Sequence, residues 1–266
     1  MRARRLIAAA SVAALAVLSL AACGRSAPTV AAYVGDTAYS IDRVNAIRKE
    51  AATVYAEQVD AAEKQGQQVP PEQRQLDLDG QDVVNLLVGL DLGKRIVAAK
   101  QVQVGNQVSV DAIGQMRHVP DTEYAKLAAE WYNIFLALGG ALPSTELTDV
   151  DRGALYDALV KANVAPAGWS ADEQRQVFAD PNIASQATAV VALSEVLRGE
   201  VARQDVRINP RYPTLAVPAV LQLQAPTFYD LPYVDGTGPV TDISTPEPKT
   251  TDETDDTAST APGTAS

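Results

Sequence analysis

The chain has little of what most catalytic and metal sites are built from. Its 266 residues hold one cysteine, Cys23, and one histidine, His118. A single cysteine excludes an intramolecular disulfide, so an exported fold of this sequence must hold by packing alone. One cysteine and one histidine exclude a Cys/His zinc site of ordinary spacing, and they speak against Ser-His-Asp or Cys-His catalysis. His118 sits beside Val119-Pro120 and reads as a helix-end residue rather than a catalytic base. No glycine-rich loop follows a strand, so no phosphate cradle and no nucleotide are expected. Positive charge is also scarce: 22 Lys and Arg face 33 Asp and Glu, a formal net charge of −11. Such a body is repelled by nucleic acid and by anionic lipid, which excludes a nucleic-acid role. Aromatics make up only 5% of a chain that is 47% hydrophobic and rich in Ala, a composition that suits close-packed helices.

The one long apolar run lies at the N-terminus. Arg2, Arg4 and Arg5 precede Leu6 to Leu20, and Ala21 and Ala22 follow. The run is shorter than the roughly 20 residues of a membrane span, and the three-part pattern is that of a removable secretory signal, residues 1–22. Leu20-Ala21-Ala22-Cys23 resembles the lipobox of bacterial lipoproteins. That resemblance implies a diacylglyceryl thioether on Cys23, which then becomes the first residue of the mature protein. One acyl chain holds only marginally, at about 0.8 kcal/mol per buried methylene, whereas two or three on one residue tether almost permanently. Residues 23–28 form a short linker behind the anchor. The implied location is the outer face of the cell membrane, with the bilayer as a partner through acylated Cys23.

Local patterns then give the elements. Val30–Val34 reads as a strand, Gly35-Asp36 as a turn and Thr37–Tyr39 as a short return. Ser40 caps a helix from Ile41 to about Lys64, with Val44, Ile47, Ala51, Val54 and Tyr55 at three-and-four spacing. A polar loop with Pro70-Pro71 follows to Asp77. Asp79 caps a second helix to about Lys100, weakened by Gly89 and Gly93. Ser109 caps a short helix to Met116. The strongest helix signal starts at Asp121, carries Tyr124, Leu127, Ala128, Trp131, Phe135 and Leu138 on one stripe, and ends at Gly139-Gly140. Thr148 caps a further helix, Ser170 and Glu173 have capping-box spacing, and a last helix runs from Pro181 to about Gln204. Val206, Ile208 and Tyr212 alternate, but Pro210 and Pro213 interrupt, so this stretch reads as an edge strand or an extended arm. From Ala225 to Ser266 there are eight acidic residues and one lysine, Lys249. That stretch is expected to be a disordered acidic tail.

Tyr33-Val34-Gly35-Asp36-Thr37-Ala38-Tyr39-Ser40-Ile41-Asp42 resembles the opening of the N-terminal domain of SurA- and PrsA-type secretion chaperones. Ala98 to Ile113 resembles that family's next step, and Asp205-Val206-Arg207-Ile208-Asn209-Pro210-Arg211-Tyr212 looks like the strand that closes related lipoproteins of high-GC bacteria. The resemblance covers roughly residues 29–119 and 191–212. It implies a mainly α fold over residues 29–217, a multi-helix domain with a small sheet formed by the N-terminal strand and the C-terminal closing strand. The disordered tail, residues 225–266, follows. Several family members carry a parvulin-type prolyl isomerase in the middle, which needs strands and buried histidines. Residues 121–204 read as helix throughout, and Gly139-Gly140-Ala141-Leu142 reads as a helix end.

Three groups remain as candidate chemistry. Asp77-Leu78-Asp79 and Asp149-Val150-Asp151 are paired carboxylates that can recruit Ca²⁺ or act as acid and base, but helix-start acids explain both. Asp252 to Asp256 has no fixed geometry. Trp131, Tyr132 and Phe135 can line a client cradle, although Trp131 and Phe135 fit a core stripe and Tyr132 lies off it. The expected function is a non-enzymatic, membrane-anchored chaperone-like lipoprotein that binds unfolded or partly folded exported proteins, with no cofactor. The alternatives are an envelope scaffold or adaptor that binds one folded partner, and a degenerate peptidyl-prolyl isomerase.

Overall fold

A computed structural model of the chain describes residues 29–144, 146–223, 226–234 and 241–242. The signal segment, Cys23 with its linker, and the tail beyond residue 242, Asp252 to Asp256 included, lie outside the described residues. The chain opens with β1 (Val30–Val34) and β2 (Thr37–Ser40), antiparallel across a turn in which Gly35 adopts φ +56°. That left-handed conformation suits glycine. Seven helices follow: α1 (Ile41–Lys64), α2 (Gly80–Lys100), α3 (Val110–Met116), α4 (Glu123–Ala141), α5 (Asp149–Lys161), α6 (Ala171–Val177) and α7 (Pro181–Arg203). Then come β3 (Arg207–Ile208), β4 (Leu215–Gln222), β5 (Pro226–Val234) and β6 (Thr241–Asp242).

Capping chemistry sets the helix starts. Ser40, Asp79, Ser109, Thr122, Thr148 and Ser170 each accept the backbone N–H three residues on. Asp79, Thr148 and Ser170 complete capping boxes with Asp82, Asp151 and Glu173. Two expected boundaries of α4 move. Asp121 does not start it, because its φ of +58° is left-handed and Thr122 takes the cap. Gly139 and Gly140 do not end it; both are helical, and α4 continues to Ala141.

The fold is mainly helical, with a small sheet that joins the two ends of the domain. Its strand order is β2-β1-β3-β6. β3 runs antiparallel to β1, with Ala32 opposite Ile208 and Tyr33 opposite Arg207. Asn209 prolongs the pairing by donating its N–H to Ala31 O at 2.9 Å and Nδ2 to Val30 O at 3.1 Å. Pro210 has no N–H to continue the ladder, so the strand stops.

The hairpin β4–β5 corrects the expected boundaries. The expected domain ends at residue 217 and the expected disordered tail covers residues 225–266, yet within that tail β6 pairs parallel with β3, Thr241 opposite Arg207. β5 likewise pairs with β4, from Leu215 opposite Val234 to Gln222 opposite Pro226. The physical reason is a period-two pattern on both strands. Leu215, Val217, Ala219 and Leu221 are buried on β4, and Tyr229, Leu231 and Tyr233 on β5. They pack on α2, α5 and α7. Pro218, Pro226 and Pro232 are tolerated because each strand of a two-stranded ribbon keeps an open edge.

Gly89 and Gly93 weaken α2 locally but let α4 approach it. A Cβ on Gly93 would lie 2.9 Å from Ile134 Cγ2 and 3.2 Å from the Trp131 ring, and one on Gly89 would lie 3.3 Å from the same ring. Trp131 fills this notch, fully buried, and donates Nε1–H to Pro218 O at 2.6 Å. One side chain therefore fixes α2, α4 and the hairpin together. Among the described residues no helix is long and apolar enough to cross a membrane.

Candidate functional site

Two clefts lie on either side of one aromatic contact. Tyr132 on α4 and Phe228 on β5 meet with ring centroids 5.7 Å apart, and both residues line both clefts. Tyr132 lies off the α4 stripe, as expected, yet it is only 7% exposed. A second buried face of α4 exists because the hairpin covers it, and the stripe alone could not reveal a hairpin expected to be tail.

The first cleft is an apolar groove of about 330 Å³. Its walls are Val108, Ile113 and Met116 from α3 and its lead-in, Phe135, Leu136, Gly139 and Gly140 from α4, and Ala189 from α7. Val220 and Phe228 close it from the hairpin. Met116 and Leu136 keep 39% and 40% of their surface exposed although large and apolar. At one end Gln186 of α7 acts like a short strand: its Oε1 accepts Gln222 N–H at 2.7 Å and its Nε2 donates to Gln222 O at 3.3 Å. Nearer the loop, Asn133 pins the approach to α3, accepting from Gln107 N and Val108 N at 2.7 and 2.9 Å and donating to Val108 O at 2.8 Å.

The second cleft is polar and holds about 260 Å³. Asp82 and Asn85 enter it from α2, Arg117 from the end of α3, Tyr124 and Tyr132 from α4, Lys161 from α5 and Asp230 from β5. Asn85 is 1% exposed and ties α2 to the hairpin. It donates Nδ2–H to Asp230 Oδ2 at 3.3 Å, and its Oδ1 accepts from Ala216 N at 3.2 Å and Gln81 Nε2 at 3.0 Å. Gln81 Nε2 also donates to Thr214 O at 2.5 Å. Asp82 accepts the Asp79 N–H at 2.7 Å and lies within hydrogen-bonding reach of Asp230.

Two carboxyl groups this close and this sheltered cannot both ionise freely. Burial raises the Asp82 carboxyl, and the Asp79 N–H pulls it back. Burial, then the neighbouring Asp82 charge and the bond between the two, push Asp230 up to about 7, against a weaker pull from Asn85 and Lys161. The pair therefore holds a proton into the neutral range. Burial also raises the Tyr132 and Tyr124 phenols, so both are neutral hydroxyls. Arg117 donates Nη2–H to Asp77 O at 3.0 Å and stacks 4.9 Å over the Phe228 ring, while its Nε–H and Gln81 Oε1 are buried with no partner among the described residues.

The residues singled out from sequence separate clearly. Trp131 and Phe135 are buried in the core, and Phe135 also lines the apolar groove. Asp79 is a helix cap, and Asp77 and Asp79 both line the polar cleft. Asp149 bonds Arg152 at 2.8 Å and Arg175 at 3.3 Å, which hold its carboxyl below the usual range, and Asp151 completes the α5 capping box. His118 is exposed after α3, edge-on to Tyr55 at 6.3 Å, and lines neither cleft. Among the described residues no group of three or more His, Cys, Asp or Glu is placed to hold a metal. Sequence reasoning missed Asp82, Asn85 and Asp230. The available signal was Asn85, a lone amide inside the apolar run Val83-Val84-Asn85-Leu86-Leu87.

No family model, no curated protein and no solved structure matches the chain.

Proposed function

We propose that this chain is a membrane-anchored extracytoplasmic chaperone-like protein. Lipid on Cys23 tethers it, and the groove between α3, α4, α7 and the hairpin binds apolar segments of unfolded or partly folded exported chains without catalysis. The observation that carries this reading is the groove itself, with Met116 and Leu136 exposed on its walls. Methionine adapts to irregular partners, and an apolar surface left open in this way is the usual mark of an interaction site. Gly139 and Gly140 present no side chain to the groove, so a bound backbone can approach α4 closely. The antiparallel pairing of β1 and β3 supports the likeness to the secretion-chaperone domain, whose fold implies that pairing. The lipobox-like Leu20-Ala21-Ala22-Cys23 supports the location.

The test is aggregation suppression by the mature chain carrying Cys23→Ser, which removes the acyl group. The expected result is delayed aggregation of several unrelated unfolded substrates at near-equimolar ratio. No delay for any of them contradicts the reading, and capture of a single folded protein from native membranes supports an adaptor instead.

A further inference from the structure

We propose that the polar cleft receives a primary alkylammonium group, the end of a lysine side chain on a polypeptide seated in the apolar groove. The proposal rests on the groove reading above and adds to it a preference for basic residues beside apolar ones. Continuity is the first argument. Tyr132 and Phe228 line both clefts and their rings pack 5.7 Å apart, so the clefts are neighbours across one aromatic wall, close enough for a long side chain of a polypeptide in the groove to reach over it.

Unmet acceptors are the second argument. Gln81 Oε1, on a residue of the cleft wall, is buried and has no hydrogen-bond partner among the described residues. The Tyr132 hydroxyl belongs to a side chain more than nine-tenths buried, has no hydrogen-bond partner among the described residues and lies in the fields of Tyr124, Arg117 and Asp230. With the carboxyl groups of Asp82 and Asp230 these are four acceptor groups on residues that line one cleft. An ammonium carries three N–H donors and no acceptor, and it is compact. The Tyr132 and Phe228 rings suit the methylene stem behind it and attract its charge. A guanidinium fits less well, because Arg117 already stacks on Phe228.

Charge bookkeeping is the third argument. The groups around the carboxylate pair are Asp77 and Asp79 before α2 and in its cap, Arg117 after α3, Tyr124 and Tyr132 on α4, Lys161 on α5 and Tyr229 on β5, its phenol kept neutral by burial. Arg117 donates to the neutral Asp77 carbonyl and keeps its charge, and Lys161 adds another, so the two carboxylates have to outweigh both for an ammonium to enter. When the ammonium enters, the proton shared by Asp82 and Asp230 leaves to solvent, and both carboxylates then face the ammonium ionised. Binding therefore strengthens as pH rises through neutrality.

The experiment measures binding of two labelled apolar peptides that differ only in one Lys→Gln exchange, with n-butylammonium as a free probe. At pH 8 the lysine peptide should bind about tenfold tighter, the scale of one charge-assisted hydrogen bond. The preference should shrink at pH 5.5, and n-butylammonium should compete it away. Asp230→Asn should bring the two affinities together, while Asp149→Asn, the same charge change outside the cleft, should keep them apart. Equal affinities at pH 8, or a preference that survives Asp230→Asn, overturn the cleft proposal and leave the groove reading standing. If neither peptide binds but n-butylammonium shifts the carboxyl NMR titration of Asp230, the cleft holds ammonium and the groove reading fails. No binding of any of the three overturns both.

Discussion

Tyr132 and Phe228, 96 positions apart in sequence, share one aromatic contact that both divides and joins two clefts. Phe228 also carries the Arg117 guanidinium on its ring. Phe228→Ala removes both contacts from a half-buried position. It should cost about 1–3 kcal/mol in urea unfolding, less than a fully buried phenylalanine. Tyr132→Phe removes a hydroxyl that has no hydrogen-bond partner among the described residues and should leave stability within about 0.5 kcal/mol. A large loss from Tyr132→Phe would mean that the hydroxyl has a partner the described geometry lacks.

The notch on α2 makes a second prediction. Gly93→Ala forces a methyl to 2.9 Å from Ile134 and into the Trp131 ring, and both neighbours are buried. Overpacking of this kind should destabilise by about 1–3 kcal/mol. Gly153→Ala on α5 meets nothing within 4 Å, and there the gain in helix propensity should stabilise by about 0.5–1 kcal/mol. Thermal melts of the two variants should move in opposite directions.

The acid pair sets a pH dependence. Asp230 is pushed from 3.8 to about 7 in the folded state, so between these values the folded chain holds a proton that the unfolded chain has lost. Stability should therefore fall as pH rises through this window, level off above it, and be fully present below the unfolded value. The loss should be about 1–3 kcal/mol, the scale of one sheltered, uncompensated charge. Asp230→Asn should flatten this slope and be the more stable chain at pH 8. Urea midpoints at pH 5 and pH 8 check it; an unchanged slope in the variant would assign the dependence to other groups.

These elements were unequally legible in the sequence. The caps at Ser40, Asp79, Ser109, Thr148 and Ser170 are legible in the sequence, because a cap depends on three or four consecutive residues. The closing strand was legible as alternation at Val206, Ile208 and Tyr212, and β3 pairs with β1 at Ile208. The hairpin was not, because Pro218, Pro226 and Pro232 together with nearby Thr, Gly and Asp outweighed a real period-two pattern at Tyr229, Leu231 and Tyr233. Losing the hairpin hid everything that depends on it. Tyr132 then had no reason to be buried, and Asp82 and Asp230 had no reason to meet. Gly89 and Gly93 were read for their local cost alone, since their benefit is a contact with Trp131 on another helix.

The groove makes its own prediction about activity. Leu136 is 40% exposed on α4 and lines the groove, so Leu136→Asp should leave the fold intact, with a stability change within about 0.5 kcal/mol. Aggregation suppression should drop at least severalfold. Val150→Asp, at an equally apolar but 80% exposed site on α5 outside the groove, should change neither.

Site-specific photo-crosslinking tests the groove most directly. A photoreactive residue replaces Leu136 in one chain and Val150 in another, and each is irradiated with a radiolabelled unfolded protein. The expected result is a strong adduct from position 136 and background from position 150. Equal labelling at both positions, or none at 136, would contradict the assignment of the groove between α3, α4, α7 and the hairpin as the polypeptide-binding surface.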